Sequence, residues 1–365
     1  MTVSSMIRKM AQRDAKPFSF EVLTHMKQAY EPENRITPLI VEQLSIRFAQ
    51  NFQRLSLVPY ESQDLGILRS LHAQSVAKCL ELQRFSGNSD AADEMNQSRF
   101  KINIDSLFVG IVRDLEGRHS SSSDITMGIV RQNMQHLCES FLTTRISCLM
   151  LLQLLADISN ISYGKVTLKT IADEAAVTAQ AIGATALPHG EIPEVFVEDN
   201  TPPESSIYTF TPFVHYILVE VMKNAIRAVM EKKIGPGIAM YESKAEIRVA
   251  ISAGYVTDSI HISVEDYGIG MTRDEVKAAL HRFENSSNNV TDPLPRLWDR
   301  LDDQVSYQPK RSPMCGIGVG LGLSRLYSSY LGGSLNISSR PGIGTIVTLQ
   351  LPRYGTEVIP RRLYL

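Results

Sequence analysis

Apolar residues recur at spacings of three and four from about Phe18 to Ala184. The pattern is clearest in Leu39 to Leu57, Ile67 to Leu82, Ile102 to Leu115, Met127 to Leu142 and Ile146 to Ile158, and it predicts helices. Turn residues interrupt it at Pro59, at 86–90, at 120–124 and around 160–164. Beyond Leu187 the period changes. Ile247-Val249-Ile251, Ile260-Ile262-Val264 and Val347-Leu349-Leu351 alternate with polar or small residues, as half-buried strands do. Helices are predicted over Pro212 to Lys233, after Thr272 and from about Gly322. The expected architecture is therefore two domains: an all-α helical bundle, then an α/β sandwich.

The turn-rich stretch 188–203 separates the two patterns. It divides the chain into a leading segment 1–17, a helical domain 18–187, the linker 188–203 and an α/β domain 204–365. Within the last, a lid is expected over 285–315, because Asn285 to Ser312 has three prolines, many Asn and Asp residues and no period, the composition of a long functional loop.

Composition narrows the function classes. The chain has 365 residues, is 43% hydrophobic and 21% charged, and carries a net charge of −2, which gives no global attraction for nucleic acid. No apolar run approaches the ~20 residues of a membrane span. The four cysteines have neither CxxC nor zinc-like spacing and fit reduced thiols. Residues 1–17 hold Arg8, Lys9, Arg13 and Lys16 with no acid before Asp14, and so resemble a mitochondrial targeting segment; a solvated basic helix would look the same.

Four motifs carry candidate chemistry. Glu220, Lys223, Asn224 and Arg227 share one face of the helix over Pro212 to Lys233, opposite Leu218, Val221, Met222 and Ala225. An amphipathic helix with solvated charges reads the same way, but an amide oxygen such as that of Asn224 also suits Mg²⁺. Asp266-Tyr267-Gly268-Ile269-Gly270 follows a strand. There a carboxylate can accept from an adenine amino group, and the glycines allow close backbone approach. Gly316, Gly318, Gly320 and Gly322, interleaved with Ile317, Val319 and Leu321, precede a helix whose N-terminus favours phosphate. Their late position fits neither a Rossmann nor a Walker loop. Gly342-Ile343-Gly344-Thr345 enters the last strand, where Thr345 can point at a base pocket or simply close a hairpin.

In this order the motifs resemble the ATP-binding superfamily of gyrase, the heat-shock chaperone, histidine kinases and the MutL repair protein. The resemblance implies a Bergerat domain in which Asn224 holds Mg²⁺, and Asp266, Gly268, Gly270 and Thr345 receive adenine. Arg227, Gly316, Ile317, Gly318, Val319, Gly320 and Leu321, together with the lid and its Ser286 and Ser287, would hold the phosphates. A histidine kinase would need a phosphoacceptor His followed by an acid and Pro, and no histidine of the helical half has that setting.

The resemblance extends further to the mitochondrial kinases of 2-oxoacid dehydrogenase complexes, those of pyruvate and of branched-chain substrates. Glu220-Val221-Met222-Lys223-Asn224-Ala225-Ile226-Arg227-Ala228, Ser324-Arg325-Leu326-Tyr327, Arg113 to His119 and Thr144 to Leu151 carry it. Tyr216, rather than His, stands four residues before Glu220, as in the branched-chain enzyme. The resemblance implies direct γ-phosphoryl transfer from ATP to a serine of the decarboxylase subunit, with Glu220 as base or orienting carboxylate and Lys223 beside it. It also implies a lipoyl-bearing core as docking partner, a homodimer, K⁺ assisting nucleotide binding, and the mitochondrial matrix. A two-component histidine kinase and an ATP-gated binding module are the alternatives.

Overall fold

In this computed structural model, residues 3–23, 33–58, 63–84, 125–156, 163–186, 192–202, 205–234, 246–254, 258–281 and 320–360 are described. They form two compact units, one of residues 1–164 with 356–365 and the other of residues 165–355.

The described part of the first unit holds helices α1 (Val3–Ala11), α2 (Glu33–Ser56), α3 (Gln63–Arg84) and α4 (Ile125–Ala156). The two periodic stretches expected from Met127 to Ile158 are one continuous helix, because Thr143-Thr144-Arg145 between them includes neither Gly nor Pro. α2 packs on α1, α3 and α4. Leu44, Phe48, Ala49, Leu68, Phe141 and Leu151 are buried there. In α1, Ile7 and Ala11 are buried while Arg8 and Lys9 face solvent.

The return segment after Thr356 inserts a charge into this apolar unit. Arg47 and Glu357 form an ion pair of 2.5 Å with side chains 1% and 0% exposed. Arg47 Nη2 also donates to the Lys16 carbonyl (3.0 Å). Glu357 Oε1 accepts from the Phe18 N–H (2.9 Å), and its Oε2 accepts from the Ser147 hydroxyl (3.2 Å). Two turns further along α2, burial lowers Arg54 to about 10, and its Nη1 donates to Asn51 Oδ1 and Thr144 Oγ1. Burial pushes the Cys148 thiol up to about 12, as expected of a reduced structural cysteine.

The second unit is a mixed five-stranded sheet under helices, with strand β1 (Tyr163–Val166) at the junction. Its strands are β2 (Glu194–Asp199), β4 (Glu246–Ala253), β5 (Ser259–Asp266), β7 (Gly344–Pro352) and β6 (Ser334–Arg340), in that spatial order. β2 pairs parallel with β4, and the remaining pairs are antiparallel. Ile247, Val249, Ile251, Ile260, Ile262, Val264, Val347, Leu349 and Leu351 are buried, and helices cover that face. The helices are α5 (Leu168–Ala186), α6 (Thr211–Ile234), α7 (Arg273–His281) and α8 (Gly320–Tyr330), and β3 (Ile207–Phe210) leads directly into α6. α5 packs on α6 and β2. It therefore goes with the sheet, and the units divide after Gly164, where the change of period had pointed to 188–203.

Local chemistry sets the ends of these helices. Pro212 sits in the first turn of α6, where its missing N–H leaves no helical bond unmade. Thr272 and Glu275 form a reciprocal cap on α7: the Thr272 N–H donates to Glu275 Oε2 (2.7 Å), and the Glu275 N–H donates to Thr272 Oγ1 (3.3 Å). α8 ends at Gly332, whose φ of +79° suits glycine, and the Gly333 N–H returns to the Ser328 carbonyl (2.9 Å). No described helix is long and apolar enough to cross a membrane.

Candidate functional site

α6 is the spine of the site. Its buried face, with Val214, Leu218, Val221, Met222, Ala225 and Val229, packs inside the unit, so its polar stripe is fixed in direction. Each charge on that stripe has a partner. Lys223, itself buried, donates to Glu220 Oε1 at 2.5 Å, and Arg227 Nε donates to Glu231 Oε1 at 2.7 Å. Asn224 lies between these pairs, half-buried.

Near Glu220 the first residue of α8 comes close. A methyl group built on Gly320 would collide with the Glu220 carboxylate, whose carbon would lie 3.1 Å from it. A side chain where α8 begins would therefore turn the Glu220 carboxylate away from its present position. Phe213 packs on Tyr327 and Tyr330 of α8 at 4.6 and 5.9 Å between ring centres, and Tyr216 lies 4.9 Å from Tyr327. These rings hold the two helices together. His215, one residue away, points instead to α5, with its Nε2 3.5 Å from the Thr178 hydroxyl.

Two turns further along α6 the backbone of the Asp266 loop is pinned down. A Cβ on Gly268 would sit 2.5 Å from the Ala228 carbonyl carbon and 2.6 Å from its methyl. The Ile269 N–H donates to the Ala228 carbonyl (3.2 Å), and the Gly342 N–H donates to the Ile269 carbonyl (2.7 Å). Gly270 has φ +66°, and a side chain there would strike the Arg340 carbonyl. Thr345 pairs with Asp266 across β7 and β5, and its hydroxyl is 2.9 Å from that of Ser339, which accepts from the Met271 N–H. Lys232 donates to the Tyr267 and Gly342 carbonyls at 2.8 and 3.0 Å.

Asp266 is 6% exposed, and its Oδ1 accepts from the Gly268 N–H (2.9 Å). Burial pushes its carboxyl up to about 6, and the N–H groups of Gly268 and Thr345 and the charge of Lys232 work against that rise. Gly268→Ala is expected to destabilise the protein by about 1–3 kcal/mol, through forced displacement of α6 or the loop. Thermal unfolding checks this, and a melt superimposable on wild type would refute it.

Glu220, Lys223 and Gly320 thus meet near the middle of α6, and Asp266, Gly268, Gly270 and Thr345 meet about two turns closer to its C-terminal end. Glu220 and Ala228 are eight residues apart, about 12 Å along a helix, a span that an extended nucleoside triphosphate bridges. Asn224 is midway. Leu321 follows Gly320 in α8, and Arg227 is drawn to Glu231. Ser286, Ser287, Gly316, Ile317, Gly318 and Val319, with the expected lid 285–315, lie outside the described residues. Sequence reasoning missed Ala228, Lys232 and Ser339. The first had a signal: position 228 follows 224 by one helical turn, on the same face.

Residues 211–355 match the family model described as histidine kinase-, DNA gyrase B-, and HSP90-like ATPase. Over 344 residues the chain is 24% identical to a mitochondrial [pyruvate dehydrogenase (acetyl-transferring)] kinase of Arabidopsis thaliana, covering 87% of this chain and 85% of that one. It is 23% identical over 350 residues to isozyme 3 of the same enzyme from Homo sapiens, with 88% and 78% covered. The similarity to the enzyme of Schizosaccharomyces pombe is 28% over 275 residues, with 73% and 60% covered.

Proposed function

We propose, from the match of residues 211–355 to the histidine kinase-, DNA gyrase B- and HSP90-like ATPases and the similarity of most of the chain to pyruvate dehydrogenase kinases, that the protein is an ATP-dependent protein serine kinase of a 2-oxoacid dehydrogenase complex. Its substrate is the decarboxylase subunit, which phosphorylation switches off. The observation that carries this reading is the course of α6, which sets a carboxylate, an amide and a buried acid in line from Gly320 to Thr345.

ATP lies along that line with its base at Asp266 and its phosphates toward Gly320. The ionised Asp266 carboxylate accepts from the adenine 6-amino group, while Gly268 and Gly270 let its loop lie tightly against α6 and the β6–β7 turn and Thr345 offers a hydroxyl. The amide oxygen of Asn224 fits Mg²⁺, which needs only one or two protein oxygens beside phosphate oxygens. An ion held by Asn224 would neutralise charge on the phosphates. Arg227 and the start of α8 add positive potential on the same side. Glu220 accepts the hydrogen bond of the incoming serine hydroxyl and aims it in line with the γ-phosphorus. Lys223 fixes that carboxylate in one orientation. The transition state is loose, so placement counts for more than proton abstraction.

The relatives' names support a mitochondrial setting, and the matrix is where such a complex would be met. A lipoyl-bearing core as docking partner, a homodimer and K⁺ complete the proposal. The decisive assay offers Mg-ATP with purified pyruvate and branched-chain dehydrogenase complexes in separate tubes. Acid-stable phosphoserine on a decarboxylase subunit is expected. Acid-labile phosphate on the protein's own histidine would establish a histidine kinase instead. ATP binding without transfer to either complex would leave an ATP-gated binding module.

A further inference from the structure

Lys232 belongs to none of the motifs, yet it touches two of the loops that surround Asp266. It lies one turn beyond Ala228, in the last part of α6. Its ammonium donates to the Tyr267 carbonyl, inside the Asp-Gly-Gly loop, and to the Gly342 carbonyl, in the turn between β6 and β7. Those two loops are already joined by the bond from the Gly342 N–H to the Ile269 carbonyl. The ammonium thus closes a ring of contacts through α6, the loop and the turn. It also brings a positive charge close to a buried carboxylate.

We infer that Lys232 is a positioning residue for the base end of the nucleotide site, and that affinity for ATP and the preference for adenine over guanine depend on it. This inference rests on the reading of Asp266 as the adenine acceptor. The chemistry follows from the two protonation states of the carboxyl. Ionised, it accepts from the 6-amino group of adenine and repels the 6-oxo group of guanine. Protonated, it can donate to that oxo group, and the discrimination narrows. Few other charges near Asp266 bear on this balance. Glu265 precedes it on β5 and favours protonation. On α6, Arg227 is bound to Glu231, and on β4, Arg248 is bound to Glu246. Lys232 is the cation that opposes Glu265.

The test measures ATP and GTP binding by calorimetry across acid to neutral pH, together with kinase kinetics, on the full chain. Lys232→Met is expected to weaken ATP binding at neutral pH about tenfold and to raise KM for ATP equally, with kcat at saturating ATP falling less than twofold. In wild type, ATP affinity falls as pH drops through about 6, where Asp266 takes up its proton. In Lys232→Met that midpoint moves upward and the ATP-to-GTP ratio shrinks. Lys232→Arg keeps the charge and two donors and stays close to wild type. Lys232→Gln keeps a donor without the charge, so it shifts the pH midpoint even if the Met variant folds poorly. Wild-type affinity, selectivity and pH midpoint in both the Met and Gln variants would overturn the inference while leaving the nucleotide site standing. An Arg variant as weak as Met would overturn it as well. A wild-type protein that binds no ATP would remove the site reading and this inference together.

Discussion

Glu220→Gln is expected to slow phosphoryl transfer roughly 10²–10⁴-fold while ATP still binds. The side chains are nearly the same size, so packing against Gly320 is kept. What changes is the charge. Glutamine cannot accept strongly from a serine hydroxyl while its own amide is turned toward Lys223, and the 2.5 Å ion pair that sets the carboxylate's direction is gone. The lysine ammonium, 8% exposed in its side chain, is then left without its anion and draws on the phosphates or the helix carbonyls. Single-turnover transfer from labelled ATP, with binding measured in parallel, separates chemistry from affinity. A transfer rate within threefold of wild type would end the assignment of Glu220 to the reacting centre. Loss of binding would move it to the phosphate-holding groups.

The largest stability effect is expected far from α6 in sequence, at Glu357. Glu357→Ala leaves the Arg47 guanidinium buried with no anion, held by the Lys16 carbonyl, a 3.4 Å contact to Gln43 and the Phe18 ring, and strips the Phe18 N–H and the Ser147 hydroxyl of an acceptor. Arg47 Nε already has no hydrogen-bond partner among the described residues. Removing one member of a fully buried pair costs about 3–5 kcal/mol. Urea unfolding measures it. The double change Arg47→Met with Glu357→Leu recovers more than half of the loss, because the uncompensated cation goes with its partner. An alanine variant less than about 1 kcal/mol below wild type would mean that water or another anion reaches Arg47.

How far the sequence carried these conclusions depended on period. β4, β5 and β7 were legible because each buries one face under helices, so Ile247, Ile260 and Val347 begin clean alternations. β2 was not, since as an edge strand it is half-buried at best and its residues alternate only weakly. α5 was seen as a helix but grouped with the wrong half, because periodicity reports an amphipathic face and says nothing of which face it meets. In the site, Asp266, Gly268, Gly270 and Thr345 could be named in advance, since close backbone approach leaves glycine as its mark. Lys232 could not, because a lysine near a helix end is ordinarily solvated, and only the two carbonyls from 35 and 110 positions away give it a task. Glu357 was invisible for the same reason: its partner is 310 residues earlier.

The return of the chain to the first unit at Thr356 has a genetic consequence. The coding sequence of the helical unit is split, and its last piece follows the whole of the sheet unit. A stop codon or frameshift at Thr356 would keep every residue of 211–355 and yet remove Glu357. Such an allele strikes the fold of residues 1–164 from beyond the sheet unit, so its phenotype maps to a unit whose main segment it leaves unchanged.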